Sequence, residues 1–150
     1  MNRADKPFVV LGWAAIVVAG VLGAAMASWP SRLLVWAMAY LILVVGVGQY
    51  ALGVGQARLG KRPPAAVTLW GQWLLLNAGH AGVMGGTLFG RFAVVSVATV
   101  PYVLALLWFA LRVHPQDGGR PLLAYRALLL LLLRSALTGV WLSSLSHAVG

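Results

Sequence analysis

No cysteine occurs in the 150 residues. That removes disulfides, thiolate metal sites, covalent c-type haem attachment and cysteine nucleophiles together. Acids are nearly as scarce, with Asp5 and Asp117 the only two. Neither lies in an apolar run, so no intramembrane carboxylate is available to drive a proton- or sodium-coupled pump or a small multidrug exporter. Charged residues make up 9% of the chain, far below an ordinary soluble domain. No Ser/His/Asp set, metal-spaced cluster, phosphate loop or convincing internal repeat is present. An enzyme acting alone is not expected.

What is present is apolar. Hydrophobic residues account for 61% of the sequence and its mean hydropathy is +0.90. Nearly all the length lies in runs of the size a bilayer-spanning helix needs, about 20 residues for a core of about 30 Å. The chain is therefore expected to be an all-α, polytopic transmembrane bundle forming a single domain. Its net charge of +9, from 11 Lys+Arg, reads as basic residues flanking spans and touching anionic headgroups, not as a nucleic-acid surface. The opening resembles a signal peptide, but its apolar run exceeds the usual length of such a region, so a retained first span is expected.

Five spans are predicted, over residues 8–27, 33–54, 66–89, 92–113 and 122–146. Pro7 suits a helix start, and Trp29 with Pro30 marks an interface and a stop. The first span repeats small residues at Ala15, Ala19, Gly23 and Ala27, a close-packing device. The loop QARLGKRPP separates the second and third spans, and HPQDGGRP the fourth and fifth. His114, in that second loop, is expected to be solvated. Pro101 should kink the fourth span, with Ser96 and Thr99 near enough to relieve the freed carbonyl. Six consecutive leucines from Leu128 to Leu133 cover all faces of the fifth segment, which favours a span over the alternative of four spans plus an interfacial helix.

Alternation from the N-terminus collects Arg3, Lys6, Arg58, Lys61, Arg62, Arg112 and Arg120 on one side, against Arg32 and Arg91 on the other. This bias predicts a cytoplasmic N-terminus and an external C-terminus bearing His147. The expected location is a bacterial cytoplasmic (inner) membrane.

Three features inside the spans carry chemical interest. Trp73, Asn77, His80, Met84 and Thr87 share one helical stripe of the third span. A histidine at membrane depth can be a metal or haem ligand, a proton relay or a ligand contact, or simply a structural hydrogen-bonding group. His80 and Met84 are chemically able to ligate haem; His114 and His147 sit at the wrong depths to be a second axial ligand. Beside that stripe, Ala78, Gly82 and Gly86 are expected to form a smooth packing face, part of a glycine content of 18. Arg134 falls near the middle of the fifth span without an intramembrane acid. Candidate partners are Asn77 or Gln49, a hydrated cavity, an anionic ligand or an acid on a partner subunit, with snorkelling as the plain alternative. The third and fifth spans are accordingly expected to pack together, with Asn77 and His80 facing Arg134. Gln49, a buried amide in lipid, needs a partner of its own.

A span closing GVGQYALG, a basic loop and a span opening LWGQWLLLNAGHAGVMGG resemble the short four-span membrane proteins related to subunit I of the cbb3-type haem–copper oxidases. The resemblance covers residues 33–113 and rests on Trp73, Asn77 and Gly79 after an aromatic-rich helix start. It implies a membrane setting near respiratory redox chemistry. That family's haem-ligating histidine pattern is absent from the preceding helix here, and no ligand position carries over. The leading expectation is a non-catalytic accessory or assembly subunit that meets lipid and other membrane subunits or copies of itself. The alternatives are a haem- or quinone-binding electron-transfer module using Asn77, His80, Met84 and Arg134, and a small-molecule carrier or channel.

Overall fold

In the computed structural model the described residues are 5–28, 30–60, 62–113 and 119–148, with side chains described as far as residue 145. Arg3, Trp29, Lys61, His114 and Asp117 lie outside them, as does the side chain of His147. Every regular element among the described residues is helical: α1, Lys6–Met26; α2, Arg32–Leu59; α3, Ala66–Leu88; α4, Phe92–Arg112; and α5, Arg120–Ala148. Helices α1, α2, α4 and α5 are long and apolar enough to cross a membrane. Helix α3 has the length, at 23 residues, and no charge, but Gln72, Asn77, His80 and five glycines dilute its apolar content.

Boundaries depart from expectation mainly in α2. It continues through Gln56 and Arg58 to Leu59, and the Gly60 N–H still bonds the Gln56 carbonyl at 2.9 Å. The glycines of GVGQYALGVG do not end it. The helix stops at Gly60, its C-cap, where the backbone turns extended (φ -76, ψ 133), and the Pro63-Pro64 pair that follows cannot resume it.

The chain divides into two compact units, Met1–Pro63 and Pro64–Gly150. In the first, α1 and α2 run antiparallel with glycine at each close approach. A Cβ on Gly12 would lie 2.8 Å from the Gly46 carbonyl oxygen, and one on Gly53 would lie 2.5 Å from Phe8 Cβ. Ala15 and Ala19 are buried as predicted, and Gly23 abuts the Met38 thioether, while Ala27 is exposed. The middle of α2, Leu41–Gly48, is wound as a π-helix. Its sequence LILVVGVG joins β-branched residues, which crowd a tight α turn, to glycines of low helix propensity. Gln49 follows directly and is fully buried, and neither end of its amide has a hydrogen-bond partner among the described residues.

In the second unit α3 and α4 form an antiparallel hairpin through a glycine turn. Gly90 adopts φ +62, the Gly90 N–H bonds the Thr87 carbonyl at 3.2 Å and the Arg91 N–H bonds the Gly86 carbonyl at 2.7 Å. This is the paired-bond helix stop in which glycine supplies the left-handed residue. Helix α5 then packs along α4, not along α3. Its buried residues Leu122, Tyr125, Leu129 and Leu132 follow steps of three and four. Beyond Leu132 no described residue of α5 is buried, and the two helices part.

Candidate functional site

The α3–α4 hairpin positions the polar residues of interest. Four glycines of α3 meet four residues of α4 in antiparallel register: Gly86 against Val95, Gly82 against Ala98, Gly79 against Tyr102 and Gly71 against the Trp108 ring. The Gly79 contact is with backbone, since a Cβ there would stand 2.9 Å from both the Cα and the N of Tyr102. That approach brings the Tyr102 ring across to the next residue of α3. His80 and Tyr102 rings lie 5.1 Å apart between centroids at 54°, and both residues are buried. Two turns earlier, Gln72 is fully buried on the same side of α3.

The expected polar stripe is only partly an inward face. His80 is buried, whereas Trp73, Asn77, Met84 and Thr87 are half-buried. Asn77 turns back on its own helix, with Nδ2 donating to the Trp73 carbonyl at 2.7 Å, and Thr87 donates to the Val83 carbonyl at 2.8 Å. Such bonds satisfy the side-chain donor locally and leave it less available to a ligand. Among the described residues no three His, Cys, Asp or Glu side chains gather to hold a metal ion. His80 and Met84 leave α3 one turn apart on one side, so they cannot flank opposite faces of a single haem ring. Tyr102 already lies against the imidazole.

Several expectations require correction. Ala78 is exposed, and Gly79 takes its place in the packing face with Gly82 and Gly86. The seam steps by three and then four along α3, the spacing of two helices wrapping at a small angle, and a strict four-residue step drifts off it. Arg134 is exposed and does not face Asn77 and His80, because α4 is the neighbour of both α3 and α5. Pro101 lies inside α4, which is continuous from Phe92 to Arg112. Thr99 donates to the Val95 carbonyl at 2.8 Å, and Ser96 Oγ has no partner among the described residues, so neither is seen to relieve the Val97 carbonyl that the proline frees.

Where α4 and α5 part they leave an open groove of about 560 Å³, with Ser96, Thr99 and Leu104 on one wall and Leu137, Trp141 and Ser144 on the other. Its surface is apolar apart from the hydroxyls. Sequence reading did not anticipate this groove, nor the burial of Gln72. The signal for Gln72 was its spacing of seven from Gly79 and fourteen from Gly86, a periodicity readable in LWGQW and the glycines after it.

No family model, characterised protein or solved structure matches this chain.

Proposed function

We propose that this chain is a five-span protein of a bacterial cytoplasmic membrane, with its N-terminus inside, that serves as a non-catalytic accessory or assembly subunit of a larger membrane complex. The observation that carries the reading is the state of α5. Only 11% of its span is buried, against 39% of α4, and the rest presents leucines, Trp141 and Arg134 outward. Lipid covers leucine without cost, but an outward cation at mid-span calls for a partner. Within the hairpin, Asn77, Thr87 and Thr99 bond carbonyls of their own helices and His80 lies against Tyr102, an arrangement suited to packing. The seven-to-two distribution of basic residues across alternating ends supports the orientation. The likeness of residues 33–113 to oxidase-related proteins makes a respiratory complex the first place to look.

The test is crosslinking in the native membrane followed by purification in mild detergent. A discrete crosslinked species that co-purifies with the chain is expected. A lone monomer in detergent with no crosslinked species in the membrane would end this reading.

A further inference from the structure

We propose that the outward seam of α5 binds a membrane-spanning helix that carries an aspartate or glutamate at the depth of Arg134. This rests on the subunit reading above and names the chemistry of the contact.

Arg134 lies fourteen residues from each end of Arg120–Ala148, or about 21 Å from either at 1.5 Å per residue. Snorkelling does not serve it equally in both directions. Helical side chains lean toward the N-terminal end of their helix, so on α5 they lean toward Arg120. For Arg126, six residues or about 9 Å from that end, the lean points at nearby water. For Arg134 the same lean points along the deepest stretch of hydrocarbon. An exposed guanidinium held there is offset by a counter-charge that comes to it, and a carboxylate matches its planar donor fork.

These 150 residues contain no such group, because Asp5 and Asp117 both lie outside the spans. A second copy would therefore bring another arginine and no acid, which disfavours self-association through this face. The surface around Arg134 has the form of a helix seam. Leu130, Arg134, Leu137 and Trp141 follow each other at steps of four, three and four, and the three apolar members are between 57% and 61% exposed. This is the spacing a second helix meets in side-by-side packing. Leu137 and Trp141 also form one wall of the α4–α5 groove, which continues the seam inward as a concave surface.

The absence of cysteine makes a clean test available. The full chain with Leu137→Cys is reconstituted in phosphatidylcholine vesicles with a synthetic leucine–alanine spanning peptide that bears one cysteine and either Glu or Gln at its centre. Disulfide yield is the readout. Several-fold greater yield with the Glu peptide is expected, falling to the Gln level in Arg134→Gln and persisting in Arg134→Lys and Arg126→Gln. Arg134 is exposed, so these variants keep the hairpin, which near-ultraviolet circular dichroism reports. Equal yields with the two peptides, or a Glu preference that survives Arg134→Gln, would overturn the proposal. So would loss of the preference when phosphatidylglycerol is added, which would assign Arg134 to lipid phosphate. A native partner found by crosslinking together with equal peptide yields would leave the subunit reading standing and remove this inference alone.

Discussion

The sharpest prediction concerns two glycines on one helix. Gly79 and Gly85 both sit in α3, yet a Cβ on Gly79 would meet Tyr102 atoms at 2.6 to 2.9 Å, and a Cβ on Gly85 would meet nothing within 4 Å. Replacing either with alanine gives the same gain in intrinsic helix preference, about 1 kcal/mol. That common term cancels when the two variants are compared. What is left is the clash at Gly79, where the obstacle is α4 backbone and cannot be turned aside by a rotamer change. Inserting a methyl group into a tight interface costs about 1–3 kcal/mol. Gly79→Ala should therefore be less stable than Gly85→Ala by about that amount, with Gly85→Ala at or above the parent. Reversible unfolding by denaturing detergent titrated into mild-detergent micelles measures the difference. Equal stability of the two variants, or a more stable Gly79→Ala, would refute the close approach of α3 and α4 at Tyr102.

Three other outcomes follow from particular positions. Gly90 has φ +62 and open space around it, so Gly90→Ala should lose about 1–2 kcal/mol from backbone strain alone, and Gly90→Asn less; equal stability of all three would contradict the left-handed turn. Gln49→Leu removes a buried amide with no partner among the described residues and should be neutral or stabilising by about 1 kcal/mol, so a marked loss in the same unfolding assay would show that the amide binds something. With no native cysteine in the chain, Ser31→Cys and Gly90→Cys should react with an impermeant thiol reagent added outside intact cells, and Arg62→Cys only after permeabilisation. The reverse pattern would invert the orientation.

Hydropathy made the number and approximate limits of the helices legible, since a bilayer-length apolar run leaves few alternatives to a helix. Interfaces were legible where a small residue is required and illegible where geometry decides which one. A fixed step of four points to Gly82 and Gly86, which do pack against α4, and to Ala78, which does not, because a real helix seam drifts and uses Gly79 instead. The π-helical segment in α2 was not legible, because β-branched residues and glycines weaken an α turn without specifying the winding that replaces it. The burial of Gln49 is legible from its place in an apolar run, but the partner a buried amide calls for is not found among the described residues. Arg134 was expected to turn inward because a charge in lipid is costly. The cost of a charge in lipid does not say which way the side chain turns, and α5 packs along α4 with Arg134 exposed.

The proposed subunit role makes this chain one part of a larger membrane assembly. Its most direct test is the mass of the particle released from native membranes into lipid discs by an amphipathic copolymer, without detergent. The expected particle contains further protein beyond one 15.9 kDa chain. A particle with a single copy of this chain and lipid only would contradict it.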